Sequence, residues 1–191
     1  MDTEQRTRPP VGAVILAAGG SSRMGEPKQL LTIAGQPMVR RVAQAVCDAG
    51  LDQVVVVVGA SAESVERALN GLSVQTVPNR RWAEGMSTSL VIGLGALGRE
   101  IQAALIVLAD QPGLQADLLR SLVARYEATR APIVAPFYQV RRGNPVLFDR
   151  ALFAELQAVE GDQGGRSLLA RYRDSVEPVV VDDAAVLIDV D

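Results

Sequence analysis

Histidine is absent from the 191 residues, and cysteine occurs once. Without imidazole there is no Ser-His-Asp or Cys-His nucleophile system and no zinc site of the usual kind, so a metal here must take oxygen ligands. The lone Cys47 cannot close an intramolecular disulfide, and its place in a helical-looking stretch, 38–49, reads as a buried apolar thiol. Excess positive charge is lacking too: Lys plus Arg number 19 against 22 Asp plus Glu, a net charge of −3. That leaves no bulk field to hold DNA or RNA. No apolar run approaches the ~20 residues that span a bilayer, so no membrane partner is expected. Arg6 and Arg8 followed by the apolar run 11–18 have the outline of a signal peptide, but the run is only eight residues long, Asp2 and Glu4 precede it, and a Gly/Ser-rich loop follows it. A cytoplasmic protein is expected.

Hydrophobic residues make up 48% of the chain and charged residues 21%, the balance of a well-cored globular protein. A polar leader, 1–10, ends in Pro9-Pro10, and one domain, 11–191, is expected after it. Short continuous apolar runs at 11–17, 54–58, 104–108 and 133–135 have the pattern of strands buried on both faces; 74–77 is a shorter, ambiguous one. Helical segments at 38–49, 62–69, 87–97 and 115–128 alternate with them. This alternation predicts an α/β fold of βαβ units, with a mostly parallel sheet and helices on both faces. Beyond Pro136 it breaks down: a Gly143-Asn144-Pro145 turn leads into 146–148, helices follow at 151–159 and 166–172, and a late strand lies at 179–181. These read as an elaboration of the same sheet.

Parallel sheets place ligands at the carboxyl ends of their strands, and two such ends carry chemistry. The first is Leu16-Ala17-Ala18-Gly19-Gly20-Ser21-Ser22-Arg23-Met24-Gly25-Glu26-Pro27-Lys28. Gly19, Gly20 and Gly25 allow a sharp turn and a close approach, so that successive N–H groups can face one anion. Arg23 adds a guanidinium fork and Lys28 an ammonium for phosphate oxygens. The loop matches neither the Walker pattern nor G-x-G-x-x-G, and its bland alternative is an ordinary βα loop. The second is Leu108-Ala109-Asp110-Gln111-Pro112, which ends an apolar strand. A carboxylate there costs free energy to desolvate unless partnered, and in a phosphate site a bound cation is the natural partner; an Asx turn or helix cap is the alternative. A third cluster, Gly161-Asp162-Gln163-Gly164-Gly165-Arg166, offers a second anion site at a helix start, or a plain interhelical turn. Asp189 and Asp191 would share one face of a strand, where either is a candidate second metal ligand beside Asp110 or part of an acidic tail.

Four segments taken together resemble a known family: LAAGGSSRMGEPKQLL from Leu16, LADQP from Leu108, Asn79-x-x-Trp82-x-x-Gly85-Met86-x-x-Ser89-Leu90, and Gly143-Asn144-Pro145-Val146-Leu147-Phe148. They are similar to the MobA-like nucleotidyltransferases, most of all to the molybdenum cofactor cytidylyltransferases. The resemblance implies a Rossmann-like three-layer fold that binds a nucleoside triphosphate with Mg²⁺, transfers its nucleotidyl part and releases pyrophosphate. By position, Leu16, Ala17, Ala18, Gly19 and Gly20 would contact the nucleotide, Arg23 and Lys28 its phosphates, and Asp110 the Mg²⁺. Ser87 and Ser89 would lie near the base; read alone, their stretch is a helix start with Ser87 as N-cap, and Trp82 and Met86 are equally core residues. Asp162 and Arg166 would face the acceptor, Arg166 on a pterin's terminal phosphate, and Asn144 stands where many relatives have His. The Leu-Ala-Ala-Gly form resembles the cytidylyl branch, where guanylyl relatives tend to have Leu-Ala-Gly-Gly.

The expected donor is therefore CTP, with GTP as the alternative, and the expected acceptor is molybdopterin or its metal-loaded form. A molybdoenzyme or its maturation chaperone is the expected protein partner. Transfer to a sugar- or alcohol-phosphate, a non-catalytic nucleotide or cofactor carrier, and a redox role are the competing readings, the last without its dinucleotide fingerprint.

Overall fold

Strands with no polar face are stable only when covered on both sides, and the architecture provides that cover. The computed structural model describes residues 8–20, 27–161 and 165–188. In chain order, β1 (Val11–Ala17) is followed by a 3-10 turn at Lys28–Leu30, the short hairpin β2 (Thr32–Ile33) and β3 (Gln36–Pro37), α1 (Met38–Asp48), β4 (Gln53–Val58), α2 (Ala62–Leu69) and β5 (Gln75–Pro78). Next come α3 (Met86–Gly95), β6 (Ala103–Leu108), α4 (Ala116–Thr129), β7 (Ile133–Tyr138), β8 (Arg141–Arg142) and β9 (Val146–Asp149). The described chain closes with α5 (Phe153–Gln157), α6 (Arg166–Arg171), β10 (Val176–Val181) and a 3-10 turn at Ala184–Leu187.

Among the described residues the main sheet runs β10-β7-β9-β6-β1-β4-β5, with β8 paired to β7. The β1–β4, β4–β5, β1–β6 and β7–β10 pairs are parallel, whereas β9 is antiparallel to both β6 and β7. Alternate side chains of each central strand point to opposite faces. Ala13, Ile15, Val56 and Leu105 pack with α1, α2 and α4 on one side; Val14, Val55, Val57 and Ala104 pack with α3, α5 and α6 on the other. The result is the expected three-layer α/β fold. No helix among the described residues is long and apolar enough to cross a membrane.

Several elements differ from expectation for local reasons. The segment expected as one helix at 151–159 is split into a 3-10 turn at Arg150–Leu152 and the five-residue α5. Its start is fixed by the Asp149 carboxylate, which accepts from the Ala151 N–H at 2.8 Å. Near the end of the described chain lies the 3-10 turn Ala184–Leu187, which Asp183 caps through the Ala185 N–H; Asp189 and Asp191, expected on one face of a strand, lie outside the described residues. Cys47 is only half-buried, though burial still pushes its thiol pKa up, in keeping with an inert side chain.

Candidate active site

From β1 the chain builds outward through β4 to β5, then crosses to the other side of β1 and enters β6. A crevice opens beyond the carboxyl ends of two parallel neighbours at such a switch point. Leu16 and Leu108 are in register, and the Ala109 N–H donates to the Leu16 carbonyl at 3.2 Å. Adjacent strands lie ~5 Å apart, so Asp110, two residues past Leu108, stands beside Ala18. The two loop ends singled out in the sequence thus form one wall of one cleft.

That cleft encloses about 480 Å³ and is lined by Leu16, Ala17, Ala18, Gly19, Gly20, Lys28, Asp110 and Arg166, with Trp82, Met86 and Ser89 among the residues opposite. Its size suits a nucleotide. Trp82 and Met86 are 38% and 40% exposed, so they belong to the cleft and not to the core. Ser87 does not reach it: the side chain borders a separate groove with Arg81 and Glu84. Nor is Ser87 the N-cap, because α3 starts one residue earlier, at Met86, behind Gly85 at φ 116°. Arg23 and Asp162 lie outside the described residues.

Buried amides that sequence reasoning missed hold the cleft in shape. Gln29 directs its Nε2 at the carbonyls of Ala17 and Gly19, 3.3 and 3.0 Å away, and so pins the turn after β1. The other side of that turn abuts β4's end: the Ala60 N–H donates to the Ala18 carbonyl at 3.1 Å, and a Cβ at Gly59 would come within 2.4 Å of that oxygen. Asn79 is a second clasp. Its Nδ2 donates to the hydroxyls of Thr88 and Ser89 at 2.8 and 2.9 Å while its Oδ1 accepts from the Arg81 N–H, which folds the 79–85 turn onto the start of α3. This brings the Trp82 ring against Gly20, where a Cβ would stand 2.7 Å from the indole. The motif from Asn79 to Ser89 therefore works as a brace, which its spacing hints at and its hydrogen bonds explain.

Arg142 is the other residue not anticipated. It stands at the rim of a smaller cavity next to the cleft, with Asn144 and Arg166. Burial and the charge of Arg166 both push its pKa down. Its sequence signal was weak, two arginines ahead of a Gly-Asn-Pro turn, because its position depends on β8 folding back on β7.

Among the described residues no group of three or more Cys, Asp or Glu converges, so these residues form no all-protein cage for a metal. Mg²⁺ does not require one: it binds through one or two carboxylates, several waters and substrate phosphates. Asp110, opening onto a cleft with room for a polyphosphate, has the hard oxygen chemistry that fits.

The MobA-like NTP transferase domain matches residues 13–176. Over 195 aligned residues the chain is 32% identical to the nicotine blue oxidoreductase of Paenarthrobacter nicotinovorans, covering 96% of this chain and 93% of that one. The crystal structure of Rv0371c from Mycobacterium tuberculosis H37Rv has a TM-score of 0.86 at 30% identity, covering 97% of this chain and 94% of its own. Its complex with manganese has a TM-score of 0.79 at 29% identity, covering 95% and 93%. With motif, topology and cleft all in agreement over nearly its whole length, the chain belongs to the family of MobA-like NTP transferases.

Proposed function

We propose that this protein transfers the CMP part of CTP to the terminal phosphate of a molybdopterin-type acceptor and releases pyrophosphate. The observation that carries the reading is the meeting of Gly19-Gly20, Lys28, Asp110 and Arg166 around one cleft at the switch point of the sheet. In such a transfer an acceptor phosphate oxygen forms a bond to the α-phosphorus while the bond from that phosphorus to the β-bridging oxygen breaks. The attacking oxygen is already anionic, so no histidine or cysteine need remove a proton. Alignment and charge neutralisation are what the protein must supply.

Lys28, with Arg23, stabilises the departing pyrophosphate, and the backbone of the Gly19-Gly20 turn cradles the phosphates. Trp82 and Ser89 face the nucleoside, and Arg166 and Asn144 hold the acceptor. Asp110 is the residue that would hold Mg²⁺, which when bound neutralises charge on the α-phosphate and the leaving group. That Rv0371c forms a complex with manganese supports a divalent cation as part of this reading.

The test is pyrophosphate release with each nucleoside triphosphate, Mg²⁺ and molybdopterin. CTP is expected to be preferred over GTP; equal release from both overturns the donor assignment, and tight binding without turnover favours a carrier. A second reading is favoured by the oxidoreductase name of a relative aligned end to end. Reduction of nicotine blue by an added hydride donor, with no pyrophosphate released from any triphosphate, would establish it instead.

A further inference from the structure

A cavity of about 130 Å³ adjoins the nucleotide cleft, sharing Leu16, Met86, Leu108 and Arg166 with it. Leu90, Phe148 and Leu169 give it an apolar floor, and its polar side chains are Arg142, Asn144 and Arg166, the first two half-buried and the third exposed, which puts them toward its rim. A dry space of ~150 Å³ holds one benzene ring, so this one accepts a single small ring or a short alkyl segment. A hydroxyl carried down to that apolar floor would be buried without a partner.

The rim is as unusual as the floor. Arg142 is half-buried and its Nη1 donates to the Gly143 carbonyl at 3.1 Å. Neither it nor Arg166 forms a salt bridge with any described residue. Two guanidinium groups brought to one rim repel each other, and burial of one adds desolvation to that repulsion. A dianion placed between them removes both costs, and the planar forks of two arginines match phosphate oxygens.

We infer that Arg142 and Arg166 form a two-guanidinium clamp for a phosphate monoester, while the slot beneath takes the apolar carbon skeleton next to that phosphate. The inference deepens the nucleotidyl-transfer reading and rests on it, since the slot shares Leu16, Met86, Leu108 and Arg166 with the cleft that Asp110 lines. It assigns the acceptor class: a phosphate attached to a small carbon ring or chain, in preference to a polyhydroxylated sugar phosphate.

Phenyl phosphate, glucose 1-phosphate and inorganic phosphate serve as probes, titrated calorimetrically onto protein loaded with Mg²⁺ and a CTP analogue carrying a methylene between its α- and β-phosphorus atoms. Phenyl phosphate is expected to bind about 10-fold tighter than the other two. Arg142→Gln should weaken phenyl phosphate roughly 10- to 100-fold. Leu169→Trp, which fills the slot, should remove the advantage of phenyl phosphate while leaving inorganic phosphate within about twofold; Leu169→Phe replaces it where the tryptophan variant melts early. Equal affinity for all three probes, or an unchanged affinity in Arg142→Gln, overturns the clamp. Failure of the CTP analogue to bind in its own titration counts against nucleotidyl transfer, and phenyl phosphate binding to the unloaded protein still reports on Arg142.

Discussion

Lys28 is the only lysine in the chain, the remaining basic residues all being arginines. An ammonium is a compact point charge that follows a moving phosphate, while a guanidinium fixes geometry, so the single exception stands where pyrophosphate would depart. Its uniqueness makes it directly testable. An amine-selective reagent such as succinic anhydride has only Lys28 and the chain's α-amine to modify, and CTP with Mg²⁺ is expected to slow labelling of Lys28 at least ~10-fold, the protection expected when the nucleotide exceeds Kd about tenfold. Mass spectrometry of the peptide that carries Lys28 reads this out, and labelling indifferent to CTP removes Lys28 from the phosphate site. Asp110→Asn keeps the shape of the side chain and deletes its charge; pyrophosphate release should fall ~10²- to 10³-fold with the melting temperature nearly unchanged. Asp110 was legible as a candidate because a carboxylate closing an apolar strand is rare and costly, and Lys28 because a cation follows a Gly/Ser-rich loop. Gln29 and Asn79 were not, since a buried amide has no signature of its own: its meaning lies in the carbonyls and hydroxyls that tertiary folding brings to it.

The elements easiest to read were those whose burial leaves one pattern. Val54 to Val58 are all buried, and five β-branched residues in a row favour a strand over a buried helix. Direction was not legible in β9, where three apolar residues read the same parallel or antiparallel, nor was the two-residue β8, which exists only by pairing with β7. Between these extremes lies α3, which carries Met86 and Ser89 to the cleft at one end and lies on β1 at the other. Gly93 permits that approach: a Cβ there would stand 2.2 Å from Val14 Cγ1 and 3.0 Å from Val57 Cγ2. Two effects oppose each other in Gly93→Ala. Helix propensity favours alanine by ~1 kcal/mol, whereas overpacking against side chains of central strands costs ~1–3 kcal/mol. Both valines are fully buried and have nowhere to go, so the second effect wins. Urea unfolding should show a net loss of about 1 kcal/mol, with a raised KM for the donor triphosphate as α3 shifts; a variant more stable than the parent would mean that the helix does not depend on this contact.

At the scale of the whole molecule, the two ends of the sheet do different work: β1 and β6 present the cleft, while β9, β7 and β10 anchor the half that carries Arg142 and Asn144. The two halves are joined by the pairing of β6 with β9 and tied again through α4. Tyr126, 1% exposed, places its hydroxyl 2.6 Å from Asp149 Oδ2 at the end of β9 and 3.2 Å from the Gln102 carbonyl just before β6. Burial, followed by the hydrogen bond to Asp149 and its charge, pushes the Tyr126 pKa from 10.0 up to about 12. A group that holds its proton more tightly in the folded state binds more protons there than in the unfolded chain between these two values. Stability is therefore fully supported below pH 10 and declines as the pH rises toward 12. Few other groups cloud the measurement: the chain has one lysine and three tyrosines, and Tyr172, raised by its hydrogen bond to Glu155, acts in the same direction. Tyr126→Phe should cost about 1 kcal/mol at neutral pH through the lost hydrogen bond, and its unfolding midpoint in urea should fall less steeply than the parent's between pH 10 and 12. Parallel curves for the two proteins across that interval would show that the tie between α4 and the end of β9 adds nothing to the pairing that joins the halves of the sheet.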